Sequence, residues 1–253
     1  MSSYPNFSVI GITNIPEVKT GDNLANIIDA SAKQQGTPIQ NNDILVIAQK
    51  IVSKAEGLLI DLNTIDPSPF AKQIAEQWDK DARHVEVVLR ESRRIVRMGH
   101  GVLITETHHG FICANSGVDA SNLPGEEIVS PLPPDPDNSA RIIRDDFKKI
   151  SGQNVGVIIA DTFGRPWREG TTNIAIGIAG INPLIDYRGL YDIHGREMHV
   201  SISAIADEIA GATEIVMAKT AKIPAALLRG LEYDSTSHSI SEMIRSPEND
   251  LFR

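Results

Sequence analysis

The segment Val155–Gly170, VGVIIADTFGRPWREG, most constrains how this chain can fold. It opens with a compact apolar run, Val155-Gly156-Val157-Ile158-Ile159-Ala160, with the length and β-branched content of a buried strand. The run ends at Asp161-Thr162. A carboxylate and a hydroxyl at the end of a strand are hard oxygen donors on a stiff support, and magnesium or manganese takes such donors. Gly164 and Pro166 then break the chain, with Arg165 and Arg168 beside them. Two guanidinium forks near an acidic pair suggest a metal together with a multiply charged anion such as a nucleotide phosphate. A strand followed by a polar turn with surface arginines accounts for the same residues.

A chain of 253 residues buries roughly 70–75% of its unfolded surface and needs no disulfide or zinc staple. The balance of 24 Lys and Arg against 33 Asp and Glu gives a net charge of −9. That argues against nucleic acid and leaves room for a local basic pocket holding one anionic ligand. Cys113 is the single cysteine, so no intrachain disulfide is possible. The opening MSSYPNFSVIGIT has neither a basic region nor a long apolar run, and no apolar stretch reaches membrane-spanning length. The expectation is a cytoplasmic protein with no membrane partner.

In chain order, Phe7 to Ile12 reads as a strand, and Asp22 or Asn23 caps a helix with Leu24, Ile27 and Ile28 on its apolar face. Asp43 to Ala48 is a second buried strand. It delivers Gln49, Lys50, Ser53, Lys54 and Glu56, whose two lysines either meet phosphate or lie on a solvated strand end. Leu58 to Leu62 reads as a short strand. Asp66-Pro67-Ser68-Pro69 starts a helix to about Trp78, and Ala82 to Met98 reads as another with a charged outer face. Val102 to Thr105 and Phe111 to Ala114 bracket His108-His109-Gly110 as a hairpin. Adjacent histidines on a strand point to opposite faces, which disfavours a shared metal. Asn115 to Asn122 is a dense polar run, and Leu132 to Asp137 a proline-rich connector. Ser139 caps a helix from Ala140 to Ile150 that ends at Gly152. Asn173 to Ala179 is strand-like, Leu190 to Glu197 a polar turn, and Ser201 to Val216 a helix carrying Asp207 and Glu208. Met217 to Pro224 is a polar loop before a final strand, Ala225 to Arg229, and a short helix from about Ser239 to Ile244 closes the chain. Neither GxGxxG after a first strand, nor GxxxxGK[ST], nor GxSxG is present.

With VSKAEG, NSGVDASN and ADTFGRPWREG standing in this order, the chain resembles the coenzyme F-420-0:γ-glutamyl ligase family. The resemblance runs from the loop Ile15-Pro16-Glu17-Val18-Lys19, followed by GDNL, to IPAALLRGL near the end. It implies an α+β fold, a mixed β-sheet with packed helices in an intertwined homodimer whose active sites lie at the subunit junction. The alternation of strands and helices alone suggests α/β. The implied organisation is one catalytic unit over residues 1–253, made of two closely linked subdomains. By position in that family, Ile15, Pro16, Glu17, Val18, Gln49, Lys50, Lys54 and Asn122 contact GTP. Asp119, Asp161 and Thr162 hold two divalent ions, magnesium or manganese, with potassium as an optional further cation. Met217, Ala218, Lys219, Thr220, Ala221, Lys222, Ile223 and Pro224 close over the nucleotide. This chain reads MAKTAKIP there, where typical members are glycine-rich, and Gln49-Lys50 replaces the small hydroxyl residues of some members.

The implied reaction adds L-glutamate to the lactyl carboxylate of coenzyme F-420-0, and then γ-linked glutamate. GTP activates the carboxylate as an acyl phosphate, and GDP and phosphate are released. Phosphoryl transfer needs mainly positioning and charge neutralisation, which an acid cluster with lysines supplies. The sequence names no general base. A metal-dependent phosphohydrolase would use the same acids and arginines without an acyl acceptor, and a nucleotide-binding regulator would show no turnover.

Overall fold

The computed structural model describes residues 4–251. Strand β1 (Ser8–Gly11) is followed by helix α1 (Leu24–Gln34), whose Asn23 cap accepts the Asn26 amide at 2.9 Å. Strand β2 (Ile44–Ala48) runs without a turn into helix α2 (Gln49–Ala55). A two-residue strand β3 (Ile60–Asp61) precedes helices α3 (Pro69–Trp78), capped by Ser68, and α4 (Ala82–Arg90), capped by Asp81. Next come β4 (Ser92–Gly99), β5 (Val102–Thr107) and β6 (Ile112–Ala114), and then β7 (Ile128–Val129), which pairs with β3. Helix α5 (Pro136–Ser151) leads to the long hairpin of β8 (Gly156–Arg165) and β9 (Arg168–Ala179). Strands β10 (Ile185–Asp186) and β11 (Ile202–Ser203) pair at the base of an excursion. Helix α6 (Ile205–Met217) and strand β12 (Ala225–Arg229) follow.

Among the described residues, the main sheet has five strands in the order β1-β12-β2-β8-β9. Only β2 and β8 run parallel; the other three pairings are antiparallel, so the sheet is mixed and the architecture α+β. Ile44, Leu45, Ile47, Ile158 and Ile159 are fully buried at its centre. The parallel register sets Ala48 against Ala160, so Gln49 at the end of β2 and Asp161 within β8 both follow the last parallel pair. This is the end of a parallel pair at which ligand sites form.

A second cluster of buried apolar residues, including Ile74, Val85, Val88, Leu103 and Val118, joins α3 and α4 to the sheet of β4, β5 and β6. β9 is an edge strand of the main sheet, and acidic side chains accept its outer amides. Asn173 donates to Glu214, Ala175 to Asp207 and Ile178 to Asp137. Such caps satisfy the strand's spare donors and protect its edge from pairing elsewhere.

Several boundaries differ from those read in the sequence. The helix expected over Ala82–Met98 ends at Arg90, and Ser92–Gly99 is a strand. The adjacent β-branched pair Ile95-Val96 suits a pleat, and Arg94 is tied to Glu106 on β5 at 2.7 Å. The strand beginning at Gly156 does not stop at Asp161-Thr162 but runs on to Arg165, because β9 pairs with it along that length. Gln49–Ala55 is a helix rather than a solvated strand end, and Gln49, Ser53 and Lys54 are buried. α5 begins at Pro136 with Asp135 as its cap, so Ser139 lies inside the helix and the connector is shorter than expected. α6 starts at Ile205, and β3 covers only part of Leu58–Leu62.

Candidate active site

A cavity of about 770 Å³ opens where the parallel pairing of β2 and β8 ends. The Ile15–Val18 loop forms one wall. The first turns of α2 bring Gln49, Lys50, Ile51 and Lys54. Asp119, Ser121 and Asn122 come from the loop after β6; Ala160, Asp161, Thr162 and Asn173 come from the β8–β9 hairpin. Glu214 on α6 and the loop over residues 217–224 complete the lining. Every residue expected at the nucleotide and metal sites therefore lines this cavity except Ala221. Arg165 and Arg168 do not line it. They lie towards the far end of the hairpin, where Arg165 donates to the Glu169 and Gly170 carbonyls. His108 and His109 are engaged with the Arg90 and Pro133 carbonyls at 2.9 and 2.8 Å.

The cationic side chains are paired with the acids. Lys50, in the first turn of α2, donates to Asp119 Oδ2 at 2.6 Å and also to Ser121. Burial pushes the Asp119 carboxyl up, but hydrogen bonds from Lys50 and Ser121 outweigh it and leave it below the ordinary value. Asp161 has no salt bridge among the described residues. Burial, reinforced by the Asp119 charge, pushes it up to about 6, against the Thr162 amide, Lys50 and Lys219. Lys54 is buried and donates to Glu17 Oε1 at 2.5 Å and to the Asn122 carbonyl at 3.3 Å. Lys219 donates to Thr162 Oγ1, and Thr162 in turn donates to Asn173 Oδ1 at 2.7 Å.

Sequence reading missed Ser121, Asn173 and Glu214 as members of this lining. Asp207, which it considered for the site, instead braces β9 through the Ala175 amide. Glu214 lies seven residues further along the same helix, two turns on and hence on nearly the same face, which is the signal that points to it.

No group of three or more His, Cys, Asp or Glu able to hold a metal forms among the described residues. Asp119, Asp161 and Thr162 are instead two carboxylates and a hydroxyl. Magnesium is held by one or two carboxylates while substrate phosphate and water fill its remaining positions. The ammonium groups of Lys50 and Lys219, drawn to Asp119 and Thr162, mark a spot that attracts positive charge. The donor set therefore fits a hard divalent cation brought with a phosphate ligand.

Residues 12–230 match the model of a family described as F420-0:Gamma-glutamyl ligase. The chain is 41% identical to the coenzyme F420:L-glutamate ligase of Methanothermobacter thermautotrophicus, over 97% of this chain and 98% of that protein. It is 44% identical to the protein of the same name from Methanopyrus kandleri, over 100% of both. Identity to the one from Methanocaldococcus jannaschii is 42%, over 97% of this chain and 96% of that protein.

Proposed function

Since the chain belongs to the F420-0:Gamma-glutamyl ligase family and is a ligase, we propose that it joins L-glutamate to the lactyl carboxylate of coenzyme F-420-0 and then adds γ-linked glutamate, at the expense of GTP. The observation that carries this reading beyond the family is the cavity where the parallel pairing of β2 and β8 ends. It combines four lysines, an acidic pair and an apolar wall in a volume that admits a nucleotide with a second substrate. The relatives above are named as ligases, which leaves the phosphohydrolase alternative without support.

A carboxylate is a poor acyl donor because oxide is a poor leaving group. In the proposed sequence GTP passes its γ-phosphoryl group to the lactyl carboxylate, and the glutamate amine then displaces phosphate from the acyl phosphate. Lys50, Lys54 and Lys219 offer point charges to phosphate oxygens. Ile15, Pro16, Ile51, Met217, Ile223 and Pro224 supply apolar surface around the bound substrates and limit water. Asp119, Asp161 and Thr162 would hold magnesium or manganese, which when bound supplies charge neutralisation to the phosphates.

A homodimer belongs to the same proposal. The excursion between β10 and β11 exposes Leu190, Tyr191, Ile193 and Val200, apolar surface of the kind a second copy would cover. The direct test is mass spectrometry of the deazaflavin after incubation with GTP, manganese and glutamate. Addition of glutamate residues is expected. GDP release with no gain in deazaflavin mass would overturn the reading.

A further inference from the structure

We infer that Glu214 is the seat of the acceptor's amino group, its carboxylate receiving the α-ammonium of the incoming amino acid. This deepens the ligase reading above and rests on it. Amide formation needs an amine beside the activated carboxyl carbon. At neutral pH an amino acid arrives as an ammonium ion, which a carboxylate recognises through a charge-assisted hydrogen bond.

Four carboxylates line the cavity, and three are committed. Glu17 accepts Lys54 at 2.5 Å. Asp119 accepts Lys50 at 2.6 Å and the Ser121 amide at 2.7 Å. Asp161 stands in the field of Asp119, and two acids together suit a divalent cation better than a single ammonium.

Glu214 is placed differently. Its Oε2 accepts the Asn173 amide at 2.8 Å, which fixes the plane of the carboxylate on the edge of β9. Its Oε1 lies 3.7 Å from Lys219 Nζ, longer than a hydrogen bond. The side chain is 24% exposed, so a solute can reach it. Asp207 and Asp137 cap neighbouring amides of β9 without lining the cavity; Glu214 does the same work with Oε2 and also lines the cavity, its Oε1 nearer to Lys219.

Lys219 shows that this oxygen tolerates an ammonium group nearby. The same Nζ also touches Thr162, which puts Glu214 Oε1 one ammonium away from the Asp161-Thr162 segment. Lys219 sits on the loop after α6, whose residues 218–222 are exposed, and a nucleotide phosphate would draw it off Glu214. The ammonium first gives one proton to Glu214 Oε1, which frees the nitrogen lone pair. The amine nitrogen then bonds to the acyl carbon, and the carbon–oxygen bond to phosphate breaks with its electron pair leaving on phosphate. The second proton leaves nitrogen as the amide forms and departs on the released phosphate.

The experiment measures glutamylation with glutamate varied at saturating nucleotide. Glu214→Gln keeps an oxygen for the Asn173 amide, so the thermal midpoint and nucleotide affinity are expected to hold. The KM for glutamate is expected to rise about 10- to 100-fold, the loss of one charge-assisted bond. Glutarate, which has both carboxylates of glutamate and no amine, should inhibit both proteins equally. An unchanged KM for glutamate, or a parallel weakening of glutarate, overturns the inference. So does a Lys219→Met variant that raises the KM for glutamate as much as Glu214→Gln, because Glu214 would then act only by holding Lys219. A wild-type protein that transfers no glutamate fails the ligase reading itself. A wild-type protein that transfers it, beside an unaffected Glu214→Gln, fails only the assignment of Glu214.

Discussion

Lys54 and Glu17 form an ion pair at 2.5 Å in which the lysine side chain is 7% exposed and the glutamate 70%. The two ends of this bridge are therefore unequal: the ammonium is enclosed by protein, while the carboxylate is mostly in water. Lys54→Ala should weaken GTP binding about 10- to 100-fold through loss of a charge-assisted contact. Because the stem is packed, the same change should also lower unfolding free energy by about 1–2 kcal/mol. Lys54→Met keeps the stem and should reproduce the binding loss with little change in stability. Calorimetric titration of GTP with metal present and glutamate absent, beside thermal melts, checks both. Equal dissociation constants in all three proteins would remove Lys54 from the nucleotide site.

Asp161 gives a pH dependence. Its carboxyl in the fold is raised from 3.8 to about 6, chiefly by burial. A raised value means that its stabilising share is complete below about pH 4 and lost as pH climbs through about 6. Metal-free Asp161→Asn should therefore be more stable than wild type at pH 7.5, by about 1–3 kcal/mol, and lose that advantage near pH 4. The variant should also lose turnover, since an amide is a weaker ligand for a hard cation. Manganese binding to wild type, followed by electron paramagnetic resonance, should weaken as pH falls below about 6. A wild-type affinity that is flat from pH 5 to 8 would refute the assignment of Asp161 as a ligand.

Gly177 sits where β9 passes the first turn of α5. A Cβ there would lie 2.5 Å from the Pro136 carbonyl carbon and from the Pro136 Cβ. Neither atom is the far end of a flexible side chain. Gly177→Ala should cost about 2–3 kcal/mol or more, seen as a lower denaturant midpoint at unchanged slope. A variant as stable as wild type would show that α5 is not seated on β9 as described.

Ile193 is 96% exposed and Val200 87%, both on the excursion between β10 and β11. Sedimentation of wild type is expected to give a dimer, and Ile193→Asp with Val200→Asp to give a monomer with reduced ligase activity. A fully active wild-type monomer would reject the dimer.

The parts of the fold that could be read in advance are those fixed by neighbours in the chain. The apolar runs of β2 and β8 have few alternatives once buried, and the stretch Asp66-Pro67-Ser68-Pro69 announces the start of α3 through its prolines. Residues 92–99 could not be read that way. Ile95-Val96 serves either a helix or a pleat, and the choice falls to β5, which pairs with it. Much of the cavity lining followed from family position. The burial of Lys54 did not, because it depends on Glu17, 37 residues away, and on the Asn122 carbonyl, 68 away. Glu214 was hidden for a similar reason. Its orientation is set by a backbone amide on β9, 41 residues earlier.

The order β1-β12-β2 has a consequence for synthesis on the ribosome. Strands β1 and β2 are made early, yet each pairs with β12, which spans Ala225–Arg229. Until that strand emerges, β1 lacks its partner in the sheet and β2 has an uncovered side, a state open to association with other nascent chains. The Pro224 carbonyl, which accepts the Ala48 amide at the cavity, immediately precedes that strand. A message cut short before codon 225 would carry every residue of the pocket lining on a sheet with two exposed strand edges, so the sheet that holds the pocket closes only when β12 emerges.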